Sequence, residues 1–181
     1  MGILLGFAPF IVFALLAGIS VSLALWVAFA TAFVITIRDF VQSPTLRLLD
    51  AGSVALFGVL AFFTGFIVPS LSVQAVRLIV EGSFLALLLT SLLLKRPVTF
   101  EYSHEHLPDE VWKTPRFLRA NYTLTGAWAL GFALMTAADA VATFNGDFPL
   151  ALDIAAGLAV LGIIIAFTVR YPAAVIARNP H

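Results

Sequence analysis

No charged side chain appears before Arg38. As one straight helix, residues 1–37 would extend about 55 Å at roughly 1.5 Å per residue. That is nearly twice the roughly 30 Å of a bilayer's hydrocarbon core. An uncharged run of this length is predicted to break once and cross or enter a membrane on both sides of the break. Gly18-Ile19-Ser20 is the natural place for the turn. A cleaved signal peptide does not fit, because it needs a basic leading region and an apolar core of only about 7–15 residues.

The rest of the chain agrees with this reading. It is 61% hydrophobic and 11% charged, with a mean hydropathy of +1.05, whereas soluble domains carry roughly 25% charged residues. We read residues 1–181 as a single multi-pass membrane domain, an all-α integral membrane bundle of five or six transmembrane helices. The absence of cysteine excludes disulfides, thiolate metal sites and a cysteine nucleophile.

The expected segments follow from the polar interruptions. The first piece, residues 1–18 with Pro9 inside it, is either a short span or a re-entrant half-helix. Further spans are expected at about 20–37, 51–68, 73–94, 122–144 and 153–169. A short polar link from Arg38 to Asp50 joins the second to the third. Asn145-Gly146-Asp147 forms a turn before the last span, and residues 170–181 are a tail.

One long polar stretch, Lys95 to Asn121, divides the earlier spans from the later pair. It is expected to form a cytoplasmic interfacial segment. Lys/Arg-rich short loops stay in the cytoplasm, and the link, this stretch and the tail fall on one side of the membrane. They hold Arg38, Arg47, Lys95, Arg96, Lys113, Arg116, Arg119, Arg170 and Arg178. The opposite side holds Glu81, Asp139, Asp147 and Asp153, with Arg77 as its cation. The C-terminus is therefore expected in the cytoplasm.

An internal echo is visible at a constant offset. Ser43-Pro44, Asp50 and Phe57 align with Thr114-Pro115, Asn121 and Trp128. This pattern is compatible with a parallel hairpin repeat, an arrangement familiar from transporters.

Three groups of residues invite a chemical reading. His104-Glu105-His106 offers imidazole and carboxylate ligands of the kind zinc takes. In a strand the two histidines would share a face, and Glu101 would add an oxygen. The alternative is a solvated segment, and no second histidine motif accompanies it, so no metal or other cofactor is expected. Trp112, Lys113, Arg116 and Arg119, with Lys95 and Arg96, suit an interfacial contact with anionic headgroups. Acids interleave throughout that stretch, which argues against nucleic acid as a partner. Arg77 and Glu81, four apart, share a helix face, and Asp139 and Asp153 fall at the same membrane level. Ionisable groups at such depth pair or line a polar cavity. The four are expected to form either an ion pair that locks helices or an outward-facing pocket for a cation, proton or headgroup.

The order LLGFAPFIVFALLAG, KRPVTFEY, LPDEVW and GAWALGFALMTAADAVATF resembles the bacterial intracellular septation protein A family and related small multi-pass inner-membrane proteins. By that resemblance Pro9, Lys95, Arg96, Pro97, Leu107, Pro108, Trp112 and Trp128 occupy motif positions. Asp139 falls where the family tends to carry Asn, and the segment between Trp112 and Trp128 is longer. The resemblance implies a non-enzymatic protein of the bacterial inner membrane that supports cell-envelope and septation upkeep. It would act through lipid homeostasis or contacts with envelope or division proteins. Membrane lipids are the expected partners, and a homo-oligomer is left open. The other readings are a small transporter or channel using the Arg77 group, and a metal-dependent membrane enzyme using His104, Glu105 and His106.

Overall fold

The computed structural model describes residues 2–103, 114–144 and 149–177. Among these residues it contains eight helices: α1 Gly2–Gly6, α2 Ala8–Leu16, α3 Val21–Gln42, α4 Leu48–Phe66, α5 Val73–Leu93, α6 Val98–Ser103, α7 Pro115–Phe144 and α8 Leu150–Ala177. Five of them, α3, α4, α5, α7 and α8, are long and apolar enough to cross a membrane.

Local chemistry explains most of the boundaries. Ser20 and Ser72 cap α3 and α5 by accepting the Leu23 and Ala75 N–H groups at 3.4 and 3.2 Å, the usual way to satisfy first-turn donors. Ser43 precedes Pro44 and is extended, as a pre-proline residue tends to be, so α3 stops at Gln42. Lys95 closes α5 at φ 56°. There the Arg96 N–H donates to Ser91 O at 2.9 Å and the Lys95 N–H to Leu92 O at 3.0 Å. This left-handed closure costs a non-glycine residue roughly 1–2 kcal/mol, which the two recovered backbone bonds offset.

Several boundaries differ from the sequence expectation. Arg38 and Asp39 lie inside α3, and Asp50 lies in the first turn of α4, so the polar link shrinks to residues 43–47. α7 begins at Pro115, seven residues before the expected span, and α8 continues past residue 169 to Ala177. Hydropathy marks where a helix enters lipid, whereas hydrogen bonding continues it into the headgroup region. At 30 and 28 residues, α7 and α8 are about 42–45 Å long, well beyond the hydrocarbon thickness. The 145–147 turn lies outside the described residues.

The stretch from Lys95 to Asn121 is not one solvated surface. Val98, Thr99, Tyr102 and Asn121 are buried, because α6 folds under the bundle and docks on α7. The Thr99 hydroxyl donates to Asn121 O at 2.9 Å and lies 2.9 Å from the Thr125 hydroxyl. Phe100 meets Phe117 edge-on.

The first segment crosses the bundle rather than turning back. Gly6 lies against Tyr102 and Leu49, while Gly18 at its other end lies against Ile154 of α8. Phe7, Phe10 and Phe13 fall on one helical face and are buried, with Leu5 and Leu15 exposed on another. Phe7 stacks on Trp128 at 3.7 Å, Phe10 packs edge-on to Phe132 at 4.6 Å, and Phe13 lies 5.7 Å from Phe57. With Phe84 stacked on Phe132 at 5.3 Å, these rings form a buried aromatic layer inside the bundle. Lipid tails are as apolar as these side chains, so helix association here rests on close packing rather than on hydrophobic transfer.

α3 lies along α4, α5 along α7, and α7 along α8. The aligned positions of the sequence echo take corresponding places: Asp50 and Asn121 are buried near the starts of α4 and α7, and Phe57 and Trp128 are buried in the aromatic layer. One end of the bundle displays Arg38, Lys95, Arg96, Arg116, Arg119 and Arg170 as exposed residues. We call it the basic end, and the opposite one the acidic end.

Candidate functional site

At the acidic end three helices converge on one guanidinium. α5 supplies Arg77 and, one turn on, Glu81; α7 supplies Asp139 near its end, and α8 supplies Asp153 in its first turn. The Arg77 Nε donates to Asp139 Oδ1 at 3.1 Å, and Nη2 lies 3.0 Å from the same oxygen. Nη2 also donates to Glu81 Oε1 at 3.4 Å, and Nε lies 3.7 Å from Asp153 Oδ2. All four side chains are 4% exposed or less. The arrangement is closed to solvent and ties α5, α7 and α8 at one point.

Charge does not balance inside this group. Glu81 Oε2, Asp139 Oδ2 and both Asp153 carboxyl oxygens have no hydrogen-bond partner among the described residues. Three carboxyl groups face one permanent cation, in a place where an unpaired charge costs several kcal/mol.

Gly157, one turn after Asp153 on the same face of α8, admits the guanidinium. A Cβ there would lie 2.7 Å from Arg77 Nη2. Gly157→Ala is therefore expected to push Arg77 off α8 and destabilise the fold by about 1–3 kcal/mol, the usual cost of overpacking. Gly162→Ala is the control, since a Cβ there meets nothing within 4 Å. Thermal unfolding of both variants in mild detergent checks the difference.

A second buried group lies at the basic end. Arg47 pairs with Asp39, lies 3.9 Å from Asp50, and stacks over the Tyr102 ring at 4.6 Å. The Tyr102 hydroxyl donates to Asp50 Oδ1 at 2.6 Å. Glu101, offered above as an extra metal oxygen, sits in α6 and accepts the Leu48 N–H at 2.9 Å. There it caps α4, where a carboxylate favours the helix dipole. A Cβ on Gly6 would lie 2.5 Å from the Tyr102 ring, so glycine lets the ring close against α1.

Burial, and then the Asp50 carboxylate, push the Tyr102 hydroxyl well above its usual range. Tyr102→Phe is expected to cost about 1.5–3 kcal/mol at neutral pH, as for a hydrogen bond to a charged group. The sign with pH follows from linkage. A phenol that ionises later in the folded state stabilises it below the ordinary value of about 10, and that contribution is lost as pH rises further. The variant should therefore lose less stability than the parent between neutral and strongly alkaline pH, as unfolding melts will report.

Of the sequence-predicted residues, the structure brings Arg77, Glu81, Asp139 and Asp153 together. It places Lys95, Arg96, Arg116 and Arg119 on the surface of the basic end. Trp112, Lys113, His104, Glu105 and His106 lie outside the described residues. Among the described residues no group of three His, Asp or Glu side chains is arranged to hold a metal ion. The sequence reading missed the Asp39–Arg47–Asp50–Tyr102 group and Gly157. The i,i+4 spacing of Asp153 and Gly157 was the signal for the latter.

By helix length and apolarity the chain is a multi-pass α-helical membrane protein. Comparison with protein-family models, curated proteins and solved structures finds no match.

Proposed function

We propose that this is a non-enzymatic inner-membrane protein that supports the cell envelope and septation through lipid and protein contacts made at its basic end. The motif order in the sequence supports the biological setting. The sorting of charge carries the structural side of the reading: exposed cations gather at one end, while Arg77 at the other is buried under three acids. By the positive-inside tendency the basic end faces the cytoplasm, where anionic headgroups and acidic protein surfaces are the natural partners.

The chain has no cysteine, so single-cysteine variants at Ser43 and Ser70 report orientation without background. Ser43→Cys is expected to label only from the cytoplasmic side and Ser70→Cys only from outside. The functional test is complementation of cells lacking the protein. Charge reversal at Lys95, Arg96, Arg116 and Arg119 should leave a folded, inserted protein that no longer restores division. Full restoration by that variant would refute a role for the basic end.

A small transporter is the second reading, favoured by the buried Arg77 group. The aromatic layer of Phe7, Phe10, Phe84, Trp128 and Phe132, each 2% exposed or less, argues against an open path. Purified protein in liposomes should move ions, protons and fluorescent lipid no faster than empty vesicles. Flux abolished by Glu81→Gln or Asp139→Asn would reverse the ranking.

A further inference from the structure

We propose that the Arg77–Glu81–Asp139–Asp153 group is a proton-binding site that holds two exchangeable protons among its carboxyl groups at neutral pH. Three carboxyl groups from α5, α7 and α8 surround one guanidinium, and their side chains are 0–3% exposed. If all were ionised, the group would carry two negative charges with no partner, buried against lipid-facing helices. Neighbouring stretches do not compensate them: α2, α3 before Arg38 and α4 beyond Asp50 contain no titratable side chain.

Asp153 points independently to a ligand. Both of its oxygens lack a hydrogen-bond partner, its residue is 1% exposed, and its nearest cation is Arg77 Nε at 3.7 Å. It comes from a different helix than the close Arg77–Asp139 contact and is aimed into the group. A protonated carboxyl donates an O–H, whereas an ionised one only accepts. Two protons therefore remove the excess charge and supply donors to the unpartnered oxygens in one step. A metal ion is the poorer occupant, since the carboxyl groups are not arranged as a ligand set. The protons would hold α8 to α5 and α7, and their loss would leave like charges facing one another across those helices.

The test uses the full chain in lipid nanodiscs. Infrared spectra should show a protonated-carboxyl band at neutral pH that weakens in Glu81→Gln and in Asp139→Asn but persists in Asp50→Asn. The double variant Glu81→Gln/Asp139→Asn, which mimics the loaded state, should abolish that band. If the double variant does not fold, the wild-type band and the two single variants decide. Absence of a protonated band at neutral pH would overturn the proposal. So would saturable stabilisation by sodium, potassium or calcium accompanied by proton release, which would assign the site to a metal cation.

Discussion

Replacing Arg77 with methionine is expected to destabilise the protein by about 3–5 kcal/mol, the range for removing one partner of a buried ionic group. The guanidinium contacts carboxyl groups on α5, α7 and α8 together, so its loss leaves all three without a cation and unties three helices at once. Lysine should not restore the wild-type stability. A compact ammonium lacks the planar fork that donates in several directions. The effect should also be strongly non-additive. Arg77→Met combined with Glu81→Gln and Asp139→Asn is expected to unfold later than Arg77→Met alone, because two of the three carboxyl groups facing the missing cation go with it. Denaturant titration of the purified proteins in mixed micelles reads both comparisons. Equal destabilisation by the single and the combined changes would mean that packing, and not charge, holds this end.

Trp128→Ala is the second large effect, again about 3–5 kcal/mol, as for removal of a fully buried large aromatic side chain. Trp128 is 0% exposed, stacks on Phe7 within 4° of parallel, and donates Nε1–H to the Thr168 hydroxyl at 3.0 Å. One side chain therefore fastens α7 both to the inner α1–α2 segment and to α8. Trp128→Phe should recover most of the packing and leave the smaller deficit of a lost hydrogen bond, about 1 kcal/mol. Thr168→Val should cost a similar amount, and the two changes combined should cost less than their sum. Equal stabilities for Trp128→Ala and Trp128→Phe would show that the stack contributes nothing.

These expectations describe a bundle pinned at both ends by buried ionic groups and filled between them by aromatic rings. The two pins differ in kind. At the basic end Arg47 faces Asp39 and Asp50, and Tyr102 donates a further hydrogen bond to Asp50. At the acidic end Arg77 faces three carboxyl groups whose remaining oxygens have no donor. The first is a satisfied joint. The second is balanced only when something neutralises it, which makes the acidic end the more responsive to its surroundings.

Much of this architecture was readable in the chain, for a physical reason. Lipid imposes its demand residue by residue, so long apolar runs, the proline and serine breaks and the asymmetric cations are local properties that a sequence displays directly. They predicted the helical bundle, its segment order and the common membrane level of Arg77, Glu81, Asp139 and Asp153. What they do not carry is the identity of neighbours. That α1 and α2 cross the interior and not its edge was decided by the fit of Phe7, Phe10 and Phe13 against Trp128, Phe132 and Phe57. That α6 leaves the water and places Tyr102 on Asp50 was decided by partners some fifty residues away in the chain. The closure of the Arg77 group over Gly157 depends on three helices meeting at one point. Hydropathy is a property of each side chain against its solvent, and so belongs to the sequence. Burial, charge balance and close approach are properties of pairs, and only the tertiary structure assigns the pairs.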